Sequence, residues 1–453
     1  MLEPSIQQSN SRNAIRHRVF SIGLPCAGEA VLSGLTALFD VAMVGKLGSS
    51  AVASVGLTNQ PRFICMAFIQ SLNVGATALI ARRIGEGNLS KANRTFRRCL
   101  FISLILSLTV CSLSFVFAEP FLRLAGCTNE TIGSSLSYFR CLLPGLLLQL
   151  LCLTAHSGLR CTGHSQIVLK TNLAANLINI ILNYLLINGH FGFPALGVTG
   201  AAVATSIGYS VSFLLTLRFL LCRDCTLTLR YKTSWLPDRE LFRHLRDVVV
   251  GAFLEHVCLR TGFFIYALLV AHLGTVAFAT HQICMNLANV ILLAYDGLAA
   301  APTALVGQGL GAGKPQESRL AVQLSTELSL SSAAVLAAVL ILFRIPVIRI
   351  FSSEELVITV GSHLLILLGC ACFSAALLTV YGGALRGAGD TRFVAAVSLL
   401  TTTLMRPLIS WFLCFPLGWG LYGPWIAFFL DLTLRAILNI LRFQRGIWET
   451  IQL

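Results

Sequence analysis

Apolar residues run along this chain in long blocks, and the polar residues gather in the short gaps between them. The blocks fall at residues 19–44, 50–81, 97–118, 134–158, 167–188, 197–221, 248–272, 278–307, 321–343, 357–383, 393–415 and 421–441. A helix needs roughly 20 mostly apolar residues to cross a bilayer. The pattern therefore predicts an all-α integral membrane protein of twelve spanning helices, with both termini on the same side. The longest basic gap, residues 223–247, follows the sixth span. It marks a linker between an N-terminal six-helix lobe, residues 1–222, and a C-terminal six-helix lobe, residues 248–453.

The two lobes repeat each other. Displacing the chain by 226 residues lays Gly48-Ser-Ser-Ala51 on Gly274-Thr-Val-Ala277 and Thr77-Ala-Leu79 on Thr303-Ala-Leu305. The same displacement lays Leu159-Arg160 on Leu385-Arg386, Gly197 on Gly423 and Glu29 on Glu255. One offset serves all of these without an insertion. Six spans is an even number, so both lobes enter the membrane in the same direction. Parallel repeats of this kind are a transporter architecture, with substrate expected at the repeat interface near the bilayer midplane.

Composition agrees with the pattern: 56% of residues are hydrophobic and 11% are charged. An average soluble domain carries about 25% charged residues. The formal net charge of +14 raises the question of nucleic acid. The basic residues sit in short loops without an aromatic-basic face, however, so no nucleic-acid partner is expected. Their distribution instead orients the chain. Loops on the side of the termini hold clusters such as Arg82, Arg83, Lys91, Arg94, Arg97 and Arg98, or Arg223, Arg230, Lys232, Arg239, Arg243 and Arg246. Those loops carry 23 Lys and Arg residues, whereas the opposite loops carry four: Lys46, Arg123, Arg344 and Arg349. Positive charge stays inside, so both termini are expected in the cytoplasm of a cell (inner) membrane protein. Most of the fifteen cysteines, Cys65, Cys111, Cys152 and Cys370 among them, sit singly in apolar stretches and read as small packing residues.

Several motifs are more specific. They are Leu24-Pro25, Phe39-Asp40-Val-Ala-Met-Val-Gly45, Pro194-Ala-Leu-Gly-Val-Thr-Gly-Ala-Ala202, Thr303-Ala-Leu-Val-Gly-Gln-Gly-Leu-Gly-Ala-Gly313 and Ala384-Leu-Arg-Gly-Ala-Gly-Asp-Thr391. In combination they resemble the multidrug and toxic compound extrusion (MATE) family over residues 18–440, with the DinF-like branch closest. The resemblance implies a V-shaped pair of six-helix bundles that exports cationic, amphipathic compounds against proton or sodium influx. No cofactor, enzymatic activity or metal is expected, and a monomer in the lipid bilayer is.

Asp40 is the first candidate for chemistry. A carboxylate inside a span is costly unless it is protonated or liganded, so it marks function by default. The alternative is an ion pair with Arg62 or Arg406. By resemblance Asp40 matches the family's coupling aspartate, with Asn179 and Asn183 completing an ion-coupling set. Asn176, Asn179 and Asn183 share one face of the fifth span, although inter-helix hydrogen bonding would also account for them. An amide stands at Asn183 where some relatives carry an aspartate, which favours protons over sodium. Gln70 and Asp296 occupy equivalent repeat positions; with Asn176 and Glu255 they are the substrate-binding candidates. Glu255 resembles a seventh-helix glutamate of the NorM-like branch, whose tenth-helix aspartate is replaced by Ala375. Glu29 lies eleven residues before Asp40, three helical turns, and so on the same face. Glu29 is a candidate gate, and Pro25, which removes a helix hydrogen bond, a candidate hinge.

Asp431 and Arg435, spaced i,i+4 in the last span, are expected to neutralise each other, and His156, His281 and His363, which lack metal-ligand spacing, read as core or interface residues. Gly307-Gln-Gly-Leu-Gly-Ala-Gly-Lys314 lacks the spacing of a phosphate loop and follows a membrane helix, so an ion gradient must supply the energy. The rival readings are a flippase of lipid-linked precursors from the same superfamily and, from other classes, a channel or a membrane enzyme.

Overall fold

A computed structural model describes residues 3–45, 47–222, 225–229, 235–236 and 238–451. Arg223, Arg230 and Lys232 of the linker, and Lys46, lie outside the described residues.

The described chain is helical, and the long helices are α1 (Glu3–Gly45), α2 (Ser49–Gly85), α3 (Leu89–Val116), α4 (Ile132–Cys161), α5 (Ser165–Asn188) and α6 (Gly197–Leu220). The second set is α7 (Arg239–Ala271), α8 (Thr275–Gly311), α9 (Pro315–Leu342), α10 (Glu355–Ala388), α11 (Thr391–Cys414) and α12 (Tyr422–Gln444). Eleven of the twelve are long and apolar enough to cross a membrane. The twelfth, α12, carries Asp431, Arg435 and Arg442 among its 23 residues.

The repeat reaches down to individual backbone joints. At the 226-residue offset α2 falls on α8, α3 on α9 and α5 on α11, end for end. The short helices Ala118–Leu124 and Arg344–Arg349 correspond as well. Gly48 (φ 107°) before α2 matches Gly274 (φ 97°) before α8, and Gly163 (φ 81°) before α5 matches Gly389 (φ 93°) before α11. A side chain at such φ values would meet its own backbone, which is why these joints keep glycine.

Two compact units emerge from Cα proximity, Met1–Ala27 with Arg246–Leu453, and Gly28–Leu245. The division falls inside α1, two residues after Pro25. In the first unit Ile15, Val19, Ile22 and Cys26 of α1 form one buried stripe at helical spacing, packed on Ala301 and Leu305 of α8 and Ala321 and Leu324 of α9. In the second unit Val44 of α1 packs with Tyr138 and Leu142 of α4, Ile187 of α5, and Ala201 and Ala202 of α6.

Between helices in lipid there is no hydrophobic drive, so close van der Waals packing and polar contacts must hold the bundle. Small residues supply the close approach. A Cβ on Gly200 of α6 would stand 2.5 Å from the Leu186 carbonyl oxygen of α5. Cys222 and Cys225 form the chain's single Cys-x-x-Cys spacing; both are free thiols just beyond α6, the first exposed and the second buried.

Candidate functional site

Asp40 stands half-buried on α1 and is met by amides of α5. Asn183 Nδ2 donates to Asp40 Oδ1 at 2.6 Å. With its amide turned to satisfy its neighbours, Asn179 also donates to Asp40 Oδ1, at 3.0 Å, and accepts from Thr205 Oγ1 of α6 at 3.2 Å. Asn179 and Asn183 are themselves buried, the latter completely. Their spacing puts them one helical turn apart on a single face of α5. Two neutral dipoles thus converge on one carboxylate.

The expected rivals for Asp40 go elsewhere. Arg62 donates to the Tyr209 hydroxyl and lies over its ring at 5.9 Å, while its charge still bears on Asp40. Arg406 belongs to the other unit, where it binds Asp431.

A second rung lies three turns away along the same two helices. Asn172 Nδ2 donates to Glu29 Oε1 at 2.6 Å, so Glu29 and Asp40 on α1, eleven residues apart, face Asn172 and Asn183 on α5, also eleven apart. Asn172 in turn accepts from Ser212 Oγ at 2.9 Å. Unlike Asp40, Glu29 also binds a guanidinium: Arg160 Nη2 reaches both carboxylate oxygens at 3.0 and 2.9 Å.

Glu29–Arg160 has a repeat counterpart in the first unit. Glu255 accepts from Arg386 Nη2 at 2.6 Å and Nε at 3.2 Å. Both residues of each pair are displaced by the same 226 positions. Each pair forms within its own unit, between the first and fourth helices of its repeat. Glu29 finds its partners inside its own unit.

Of the remaining candidates, Asp296 lies within charge range of the Glu255–Arg386 pair and of Arg435. Asn176 is half-buried on α5, and its side-chain nitrogen makes no hydrogen bond within the protein. Gln70 is half-buried on α2, whereas its repeat counterpart Asp296 is exposed on α8. Pro25 lies inside α1 on the far side of the unit boundary from Glu29. Asp431 binds Arg435 as expected, but it also binds Arg406, with Thr402 Oγ1 donating at 3.1 Å. Among the described residues no group of three or more His, Cys, Asp or Glu could hold a metal.

Asn172, Thr205 and the pairing of Arg160 and Arg386 escaped sequence reasoning. Asn172 was within reach of it, because Asn172, Asn176, Asn179 and Asn183 continue one stripe at helical spacing. The arginines were counted as loop charge, although Arg160 and Arg386 each occupy the last turn of a helix.

Comparison with known proteins places this geometry. The MatE family model matches twice, over residues 25–185 and again over residues 252–412. A probable multidrug resistance protein NorM of Bradyrhizobium diazoefficiens is 30% identical, covering 89% of this chain and 88% of the relative. One of the same name from Thermotoga maritima is 28% identical over 96% of this chain and 93% of the relative. The multidrug resistance protein PmpM of Pseudomonas aeruginosa is 28% identical over 90% and 86%. Among solved structures, the outward-facing conformation of a multidrug resistance MATE family transporter of the MOP superfamily superposes with TM-score 0.89 at 21% identity, covering 96% of this chain and 97% of that one. A MATE in the bent conformation gives 0.86 at 22%, with the same coverage. A duplicated family match, a curated relative at 30% identity and a shared twelve-helix fold lead to one conclusion: the chain belongs to the MatE family of multi-pass membrane transporters.

Proposed function

We propose that this protein is a secondary active multidrug exporter, antiporting cationic, amphipathic compounds against protons or sodium, with Asp40 as the coupling carboxylate. One observation carries the assignment of Asp40. Glu29, Glu255 and Asp431 are each bound by arginine, whereas the hydrogen bonds to Asp40 come from the neutral amides of Asn183 and Asn179. A carboxylate whose hydrogen bonds come from amides can be charged or neutral without breaking a hydrogen-bonded ion pair, which suits an ion-coupling site.

The cycle follows from that property. An ion arriving from outside neutralises Asp40, and the pull on a cationic substrate falls. Substrate leaves, the transporter turns to the cytoplasm, and ion release restores the charge. Asn179 and Asn183 tune this step by holding the carboxylate. Asp296, exposed within a spanning helix, is the natural partner for a cationic substrate, with Gln70 and Asn176 as polar contacts. Glu255 joins that group through a charge it shares with Arg386. Pro25, next to the unit boundary, serves as the hinge of α1, and Glu29 anchors the segment that follows it. Loop charge supports cytoplasmic placement of both termini.

The test is ethidium or norfloxacin efflux from proteoliposomes under an imposed proton gradient and, separately, a sodium gradient. One of the two gradients drives efflux, and Asp40→Asn abolishes gradient-driven export while the protein remains folded. Intact coupled export by that variant would refute the role of Asp40; failure of both gradients would refute antiport altogether.

A further inference from the structure

The linker is fastened to the start of α3. Asn93 Nδ2 donates to the Thr226 carbonyl oxygen at 3.1 Å, and the Thr228 N–H donates back to Asn93 Oδ1 at 2.8 Å. Arg97 Nη2 donates to the Thr228 carbonyl oxygen at 2.9 Å, and Arg97 Cζ lies 5.9 Å from the Trp235 ring. Arg98, the next residue, pairs with Asp238, whose carboxylate accepts from the Leu241 N–H in the first turn of α7. The starts of α3 and α7 and the described linker between them therefore form one rim, inside a single unit.

That rim is both basic and apolar. Arg94 stands one turn before Arg98 on α3, and Arg239 and Arg243 stand one turn apart on α7; all three are exposed. Among the described residues none of the three has an acidic partner. The full count of charge agrees. Residues 89–98 carry Lys91, Arg94, Arg97 and Arg98 without an acid, and residues 235–245 carry Arg239 and Arg243 against Asp238 and Glu240. The rest of the linker, residues 223–234, adds Arg223, Arg230 and Lys232 against Asp224. Glu86, just before α3, is bound by Arg83 at 3.0 Å. Beside these cations Trp235, Leu236 and Phe242 are 41%, 66% and 60% exposed.

The other repeat makes the same join without cations. At the 226-residue offset Arg94 and Arg98 fall on Leu320 and Leu324, and Leu241 and Leu245 fall on Ile15 and Val19. There Ile15 and Val19 of α1 pack on Leu324 and Leu320 of α9. Seating one helix start on the other thus needs only apolar side chains, and the exposed arginines of α3 and α7 are free for another partner.

Exposed aromatic and aliphatic groups beside unpaired arginines, at the first turns of two spanning helices, suit the boundary of a bilayer. Apolar groups enter the acyl region there and cations meet the headgroups. We infer that this rim is a binding site for an anionic phospholipid: Arg94, Arg239 and Arg243 attract the headgroup, and Trp235, Leu236 and Phe242 lie against the acyl chains. A lipid seated there bridges the start of α7 to α3. The inference rests on the membrane fold and is independent of antiport and of the role given to Asp40.

The test is native mass spectrometry of the full-length protein released from detergent, titrated with phosphatidylglycerol or with phosphatidylcholine of the same acyl chains. Each arginine beside an anionic headgroup strengthens its binding about fivefold. Phosphatidylglycerol should therefore bind at least about tenfold more tightly than phosphatidylcholine. Arg239→Gln and Arg243→Gln should each weaken phosphatidylglycerol about fivefold and leave phosphatidylcholine unchanged. Arg349→Gln, exposed in the short helix Arg344–Arg349 away from the rim, removes the same charge and should change neither. Without added lipid, the unfolding midpoints of the rim variants should match the parent's, since these arginines hold no acidic partner. Equal affinity for the two lipids, unaltered phosphatidylglycerol binding in the Arg239→Gln/Arg243→Gln double variant, or the same loss in Arg349→Gln would each overturn the site. Lowered midpoints in lipid-free rim variants would make the arginines structural and overturn it as well.

Discussion

Neutralising Glu29 and Glu255 separately should cost the protein nearly the same stability, because the two are one interaction made twice. Each carboxylate receives two guanidinium N–H bonds, at 3.0 and 2.9 Å for Glu29 and at 2.6 and 3.2 Å for Glu255. Removing one partner of a buried pair costs about 3–5 kcal/mol, since the other charge is left unpaired. The Arg160 and Arg386 side chains are 26% and 27% exposed, so water compensates part of the loss. We therefore expect about 2–4 kcal/mol for Glu29→Gln and for Glu255→Gln. At about 2–4 °C per kcal/mol for a unit of this size, the unfolding midpoint in detergent should drop by about 5–12 °C. The decisive measurement is a double-mutant cycle. Adding Arg160→Gln to Glu29→Gln removes the stranded charge, so the double variant should be no less stable than either single one, with a coupling energy of at least about 1 kcal/mol. The second cycle, on Glu255 and Arg386, should return a value within about 1 kcal/mol of the first. Single variants that shift the midpoint by less than about 2 °C, or additive double variants, would refute the claim that these pairs hold their helices.

Other positions test other parts of the molecule. Asn183→Ala removes a charge-assisted bond to Asp40 and should cost about 1.5–3 kcal/mol of stability together with a fall in gradient-driven efflux; unchanged efflux would remove Asn183 from the coupling set. A Cβ at Gly297 of α8 would stand 2.5 Å from the Cys26 carbonyl oxygen and 2.6 Å from Ala27 Cα on α1. Gly297→Ala should thus lower stability by about 1–3 kcal/mol in a thermal melt, whereas Gly56→Ala, with nothing within 4 Å, should be neutral or gain up to about 1 kcal/mol. Asp238 caps α7 by accepting from the Leu241 N–H at 3.0 Å, and Arg98 pairs with it. Burial would raise its carboxyl, but these two partners win and hold it below the usual carboxylate range. Its contribution is therefore present above the usual carboxylate value and is lost as pH falls through the lowered one. Asp238→Ala should cost about 1 kcal/mol at neutral pH and close to nothing in strong acid.

What a sequence can disclose here depends on how local the physics is. Crossing a bilayer is decided within one segment, so the apolar blocks identify the helices, and the glycines at Gly48 and Gly274 mark joints where φ must be positive. The repeat is also local in this sense, because it compares like with like at a fixed offset. Partner choice is not local. Asp40 had two arginines to choose from on paper, yet two amides of α5 hold it, and only the packing of α1 on α5 decides that. Arg406 went to Asp431 for the same reason. Arg160 and Arg386 are the instructive case, since their place in the repeat was visible while their function as partners was not. A conserved spacing within each half, from Glu29 to Arg160 and from Glu255 to Arg386, is the same 131 positions. Opposite charges that keep one separation in both copies of a repeat are candidates for contact, because equivalent helices place them equivalently. Applied to the broken positions, the same logic separates scaffold from candidate chemistry: pairs kept in both halves join helices, and a position that differs, Asp40 against Tyr266, is where a task particular to one half is to be tested.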